Sequence, residues 1–297
     1  MRTCRQMTAI VGPLFAAADV HAQQKYPSKP IRLIVPYATG GGADIFARSL
    51  SQKLTESFAA PVVLDNRTGA GGTIGTEIAV RADPDGHTMV LVSAGYAANA
   101  ALYKLPYDAM NDVAPIALIG ETGLVVTIHP SVRINNIREL IAYDKASPGK
   151  LSDGSSDNGG TTHLATELFN QMAGTKMAHV PYKGTGAALN DLLGIAVTTA
   201  KRSNAVPDIP TVDETVPGYE AVQWFAILGP KALSKNIVSR WNREINRILQ
   251  LPDVKECMAG EGLEPAGGTP DRFREVLERD IAKWQNVVKV AGIQTGH

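Results

Sequence analysis

Near the start of this chain, three short apolar runs each end in a loop of glycine or serine, and the first two loops pass into helical patterns. Ile31-Arg32-Leu33-Ile34-Val35 is rich in β-branched residues, is stopped by Pro36 and is followed by Gly40-Gly41-Gly42. Val62-Val63-Leu64 leads to Gly69-Ala70-Gly71-Gly72, and Met89-Val90-Leu91-Val92 leads to Ser93-Ala94-Gly95. After the first loop Phe46, Leu50, Leu54 and Phe58 recur at spacing four and lay one apolar stripe along a helix. A second helix follows the second loop, and Pro84-Asp85-Gly86 makes a turn. Strands that alternate with helices run mostly parallel, because a helical crossover returns the chain to the same end of the sheet. The expected fold is therefore α/β with mainly parallel sheets. Ligands of such sheets sit beyond the carboxyl ends of the strands, where all three loops fall.

The pattern continues along the chain. Residues 124–128 read as a strand before Pro130, and residues 134–146 as a helix. The stretch Asp157-Asn158-Gly159-Gly160-Thr161-Thr162-His163 opens a helix that places Leu164, Leu168 and Met172 on one face. Residues 180–184 form a strand end and turn, residues 187–193 a short helix, and residues 195–199 a strand-like run. The tail holds two strong helices. One carries Ile237, Trp241, Ile245 and Ile248. The other opens on Thr269-Pro270, a capping residue followed by proline at the first helical position, and carries Phe273, Leu277, Ile281, Trp284 and Val288.

The first residues read as a leader rather than as fold. Arg2 and Arg5 precede a mostly apolar stretch over residues 7–18, and Val20-His21-Ala22 has the small-x-small form of a cleavage site. Residues 1–22 are thus expected to be a secretory signal peptide, too short to span a bilayer. Its removal takes Cys4 away and leaves Cys257 alone, so neither an internal disulfide nor a thiolate zinc site is expected, and no metal or cofactor is called for. Lys+Arg 29 balance Asp+Glu 29, which argues against a general nucleic-acid binder, since such proteins need a basic face to displace counterions. A hydrophobic share of 44% excludes a disordered chain.

The loops suit an anion better than they suit catalysis. Three glycines before a helix let backbone N–H groups approach a ligand, and the helix start adds free donors and a positive dipole end. The stretch from Asn158 to Thr162 repeats that logic with threonine hydroxyls as further donors. A single glycine-rich turn can equally be only a tight turn, but several at one sheet edge point to a carboxylate or phosphate site. Neither glycine loop follows the dinucleotide fingerprint, and the sequence has no Walker loop, no Gly-x-Ser-x-Gly and no His-Glu-x-x-His. His163 can be a base, a capping group or a ligand contact. Asp44 can be catalytic or simply favoured in a first helical turn. His87, His129 and His179 show no ligand spacing, and Trp224-Phe225 reads as core or lobe interface.

Over residues 26–293 the chain resembles the Bug-type solute receptors of tripartite tricarboxylate transporters, which are periplasmic binding proteins. The resemblance is carried by Tyr26-Pro27-Ser28-Lys29-Pro30-Ile31-Arg32, Pro36-Tyr37-x-x-Gly40-Gly41-x-x-Asp44, Asn66-Arg67-x-Gly69-Ala70-Gly71-Gly72-x-Ile74-Gly75 and Leu105-Pro106-Tyr107-Asp108. It continues through Asn158-Gly159-x-x-x-His163-Leu164, His179-Val180-Pro181-Tyr182-Lys183-Gly184, Ala200-Lys201-Arg202-Ser203 and Gly267-Gly268-Thr269-Pro270. It implies a periplasmic-binding-protein type II-like fold. Lobe one would comprise residues 23–122 and 197–297 and lobe two residues 123–196, joined by crossover strands. It also implies a carboxylate held mostly by amides, hydroxyls and water. Lobe one would offer Tyr37, Ala38, Thr39, Gly40, Gly41 and Asp44, with Ser93, Ala94 and Gly95 beside them. Lobe two would offer Ser155, Asn158, Gly159, Thr161, Thr162 and His163, with Tyr182 nearby. The implied partners are a small carboxylate and the transporter's membrane subunits, with the receptor a monomer in the periplasm and not an enzyme.

Two departures from the family pattern bear on function. Members usually carry a further strand and helix after the Leu-Leu-Gly that is Leu192-Leu193-Gly194 here, whereas Gly194 runs directly into Ile195. Lobe two is therefore expected to be truncated by about one strand-plus-helix unit, ~25–30 residues for a parallel crossover. The alternative reading follows, a binding-impaired relative with no transport role. The second departure is Asp157, where the family usually has glycine; an inward carboxylate there would repel an anion.

Overall fold

The computed structural model describes residues 26–155, 160–181, 193–204 and 206–293. The expected leader, the turn at 182–184 and the short helix expected at 187–193 lie outside them, except that Leu193 opens a strand. Lobe one is a three-layer α/β unit. Its elements are β1 (Ile31–Val35), α1 (Gly42–Phe58), β2 (Val62–Asn66), α2 (Thr73–Val80), β3 (Thr88–Ser93), α3 (Gly95–Leu102) and β4 (Val113–Gly123). After the second lobe come β9 (Val222–Pro230), α6 (Lys235–Ile248), α7 (Pro252–Gly260), β10 (Glu264–Pro265) and α8 (Pro270–Ala291). Between them lie β5 (Val125–Ile128), α4 (Ile137–Ala146), β6 (Ser152–Ser155), α5 (Thr161–Ala173), β7 (Ala178–Pro181) and β8 (Leu193–Val197).

The main sheet has the order β10-β4-β9-β3-β1-β2. β2, β1 and β3 are parallel, as βα units require, but β9 runs antiparallel to both β3 and β4, and β10 antiparallel to β4. The sheet is thus mixed, because β4 leaves toward the second lobe and β9 returns from it in the opposite direction. Side chains alternate across β1. Ile31, Leu33 and Val35 join Phe46, Leu50, Leu54, Trp241 and Ile245 on one face, while Ile34 joins Val90, Val92 and the α3 and α8 side chains on the other. The stripe expected on α8 is fully buried, and the Thr269 hydroxyl accepts the N–H of Arg272 as its cap.

The second lobe is thinner. Among the described residues β5 pairs antiparallel with β8, and β6 pairs parallel with β7, as two separate two-stranded sheets. Its anchor is α5, whose Leu164, Leu168 and Phe169 share one apolar cluster with Phe273, Leu277 and Trp284 of α8. Met172, expected on that face, is instead 38% exposed, because a run at spacing four drifts around a helix of 3.6 residues per turn and the buried stripe continues through Phe169 and Ala173. The stretch following Pro210 also lies against this lobe. Val197 exchanges hydrogen bonds with Pro210 and Val212, and the Tyr219 hydroxyl donates to the Ala165 carbonyl of α5 at 3.0 Å.

Candidate functional site

β1 has β2 on one side and β3 on the other, so the connection reverses direction between β1 and β3. At such a switch point the loops beyond the strand ends diverge and leave a crevice. The loop over residues 36–41 and the turn at Ser93, Ala94 and Gly95 border it. They are tied across it: the Tyr37 hydroxyl donates to Ser93 Oγ at 2.8 Å and accepts the Ser93 N–H at 2.7 Å. Burial pushes the Tyr37 phenol up, so it stays a neutral hydrogen-bonding group. Ala94 N–H donates to the Trp224 carbonyl, which fixes the turn to β9.

Asp44 lies beneath the loop and is 1% exposed. Its carboxylate accepts Gly40 N–H at 3.0 Å, Arg48 at 2.9 and 3.2 Å, and the Asn66 amide at 2.9 Å. The Gly40 amide, Arg48 and Asn66 hold it well below the usual range, at about 2. Asn66 also donates to the Tyr37 carbonyl. Gly40 has φ +83°, a left-handed conformation that glycine adopts without cost, and this turns the chain back over Asp44. Tyr37 is half-buried, whereas Ala38, Thr39, Gly40 and Gly41 are exposed. The α1 cap Gly41 supplies no side-chain bond, and the amides of Gly41, Gly42 and Ala43 have no acceptor among the described residues.

In the second lobe the structure gathers Ser155, at the end of β6, and His163, in the first turn of α5, through a residue the spacing did not single out. His179 on β7 stacks on His163 with ring centroids 3.6 Å apart and planes 8° apart, and its Nε2 lies 2.6 Å from Ser155 Oγ. Burial, with the second imidazole against it, pulls His163 down to about 4, so the His163 ring is neutral at pH 7. Glu167 approaches His163 Nε2 at 3.8 Å and is raised by burial, and Asp153, paired in register with His179, is pushed up to about 6 by burial. Thr161 and Thr162 are half-buried at the helix start. Asn158, Gly159, Tyr182 and Asp157 lie outside the described residues. Among the described residues no group of three His, Cys, Asp or Glu is gathered as a metal would need.

Sequence reasoning passed over Asn66 as a brace and His179 as the partner of His163. Asn66 had a signal, its place at the end of the second strand; His179 had its place in a motif of the resemblance but no spacing to tie it to His163, because the β6–β7 register brings it to Asp153 and Ser155. A cleft of about 450 Å³ lies at the opposite, amino-terminal ends of β1 and β3, lined by Lys29, Arg32, Arg81, Asp83, Asp85 and His87. Its cations are each paired with an acid, Lys29 with Asp85, Arg32 with Asp65 and Arg81 with Glu77, so it presents no unneutralised positive face.

The profile of the tripartite tricarboxylate transporter family receptors matches residues 46–200 and 194–293. The chain is 34% identical to the protein BugT of Bordetella pertussis over 318 aligned residues, covering 97% of this chain and 98% of the relative. That alignment is longer than the 297-residue chain itself, so part of the relative has no counterpart here. Among solved structures, the R. palustris protein Rpa4515 with adipate superposes with a TM-score of 0.77 at 31% identity, covering 91% of this chain and 99% of that one. The periplasmic binding protein BugD gives a TM-score of 0.74 at 30% identity, with 91% and 99% covered.

Proposed function

Because this chain belongs to the tripartite tricarboxylate transporter receptor family, we propose that it captures a small carboxylate between its two lobes and delivers it to the membrane subunits of such a transporter. The observation that carries this reading is the loop over residues 37–41. It is braced from behind by Asp44, Asn66 and Ser93, while the amides that open α1 are left without acceptors at the switch point. A carboxylate there accepts several N–H bonds and gains from the helix dipole. Tyr37, Ala38, Thr39, Gly40 and Gly41, with Ser93, Ala94 and Gly95, form one half of the site. Ser155, Asn158, Gly159, Thr161, Thr162, His163 and Tyr182 form the other. Asp44 supports the first half rather than touching the ligand, since its oxygens are already occupied. Adipate bound by a relative at 31% identity supports a dicarboxylate as the first ligand to try. The protein works in the periplasm, reached through the leader at residues 1–22. No helix among the described residues is long and apolar enough to cross a membrane.

We place the lobe division at the strand crossings. Of the described residues, lobe one then holds those within 26–123 and 222–293, and lobe two those within 125–219, including the stretch after Val197 that pairs with β8. A second reading, a relative impaired in binding by the loss of a strand-plus-helix unit, is favoured by the two two-stranded sheets into which the described strands of lobe two fall, since such pairs are marginal alone. One experiment separates the readings. Thermal melting of the purified protein is followed against mono-, di- and tricarboxylates and acidic amino acids. A receptor shows a Tm that climbs with the concentration of one acid class, through mass action on the native state. A cooperative melt that no acid moves selects the impaired relative.

A further inference from the structure

The outgoing and returning chains meet at one residue. Leu124 lies between the β4–β9 ladder, which ends with Gly123 opposite Val222, and the β5–β8 ladder, which begins with Val125 opposite Val197. Beside it is Thr198, 2% exposed. Its N–H donates to the Leu124 carbonyl at 3.0 Å, and its hydroxyl oxygen accepts the Leu124 N–H at 2.7 Å. The same hydroxyl donates to the Ala221 carbonyl at 2.6 Å, while the Thr198 carbonyl accepts the Ala221 N–H at 3.0 Å. The side chain is donor to one crossing and acceptor from the other.

The chain on either side of Ala221 is held by different lobes. Tyr219 donates to the Ala165 carbonyl and packs edge-on against Phe169, both on α5, whose first turn carries the second half of the site. Trp224 Nε1 donates at 2.7 Å to Asp280 of α8, a buried carboxylate also paired with Lys283. The Trp224 carbonyl holds Ala94 of the first half. Residues 220–223 alone separate the two anchors. Packed lobes do not deform continuously, so a change of angle between them is absorbed there and at Leu124. The crossing is tight: a Cβ on Gly123 would lie 2.9 Å from Thr199 Cγ2. A hydroxyl suits this place because its O–H bond rotates, keeping a donor and an acceptor contact as the angle between their partners changes.

We propose that Thr198 is the positioning residue of the hinge, the hydroxyl pivot that sets the angle between the two halves of the carboxylate site. This rests on the receptor reading, and the test keeps the two apart. Hydrogen exchange of the ligand-free protein is compared for wild type, Thr198→Val and Thr198→Ser, alongside adipate affinity. In the Val variant the crossing, residues 123–126, 197–199 and 220–223, should exchange roughly tenfold faster while β3 and α5 stay protected, and the Ser variant should match wild type. Adipate should bind the Val variant more weakly, about fivefold or more, as the fraction of binding-competent molecules falls. If Thr198→Val does not fold, Gly123→Ala should speed exchange at the same crossing, with Thr199→Ala added to it restoring protection. Unchanged exchange in these variants, faster exchange spread through all of lobe two, or a faster crossing with unchanged adipate affinity overturns the pivot. A wild type that answers to no acid counts against the receptor reading alone, and the exchange pattern still decides whether Thr198 holds the crossing.

Discussion

The units β1–loop–α1 and β6–loop–α5 follow one plan, a short strand with a parallel neighbour, a glycine-bearing connection and a helix, yet they rest on different supports. β1 has a parallel neighbour on each side, and its four aliphatic side chains are entirely buried. Among the described residues β6 has β7 alone, and only Ser155 of its residues is buried. The polar groups differ in the same sense. Under the first loop a carboxylate is saturated by an amide, a guanidinium and a side-chain amide. Around the second helix start two imidazoles stack, and burial displaces His163, Asp153 and Glu167 toward their neutral forms. A two-stranded sheet contributes little on its own, so the second unit depends on α5 packing against α8. The first unit is therefore the better braced, and the second holds the groups whose ionisation burial displaces.

The sharpest way to break that contrast is to remove the brace of the first loop. Asp44→Ala strands the Gly40 amide and frees Arg48 and Asn66. Loss of these bonds should cost about 1–3 kcal/mol in denaturant titration, and carboxylate affinity should fall at least tenfold where the receptor reading holds. The pH dependence has a fixed sign. The folded pKa lies below the unfolded one, so the wild-type advantage over Asp44→Ala is present above about 4 and fades as pH falls through about 2. An unchanged loop affinity in the variant would mean that the backbone alone holds the cradle.

The brace shows what sequence makes legible. β1, α1 and the loop between them follow from a β-branched run, a proline stop, three glycines and a stripe at spacing four, all local signals. β4 and β9 escaped the reading of residues because neither alternates. Leu118, Ile119, Ala226, Ile227 and Leu228 are buried on both faces, and a continuous apolar run carries no period. Their role as crossings came only through resemblance. The spacing locates the Asp44 carboxylate without telling that its oxygens accept from Gly40, Arg48 and Asn66. His179 meets Ser155 and Asp153 only through strand register, a long-range fact absent from any window of sequence.

The second unit offers the next test. Asp153 is pushed up to about 6 and has a buried oxygen, Oδ2, without a partner among the described residues. Its folded pKa exceeds the unfolded one, so the carboxyl costs stability as pH rises from about 4 through about 6. Asp153→Asn should thus be neutral at pH 4 and stabilising by about 1–2 kcal/mol at pH 7.5, a Tm rise of a few degrees in paired melting curves. A loss at pH 7.5 would show that the ionised form is held by a partner and that the second unit is as well satisfied as the first.

The smallest effect lies in the imidazole stack and runs the other way. The folded pKa of His163, about 4, is below the ordinary 6.5, so the unfolded chain takes up a proton that the folded chain refuses. Stability from this group is complete above about 6.5 and drains as pH falls toward 4. His163→Phe keeps a flat ring against His179 and cannot be protonated. The slope of stability between pH 6.5 and 4.5 should flatten by about 1 kcal/mol across that interval, read from urea midpoints at several pH values. His179→Phe leaves His163 without a second imidazole against it and should flatten the slope less, since burial is the larger cause of the shift. If both variants keep the wild-type slope, the acid sensitivity belongs elsewhere and the second unit is no more titratable than the first. If His163→Phe alone flattens it, the less supported unit is also the one that feels acid.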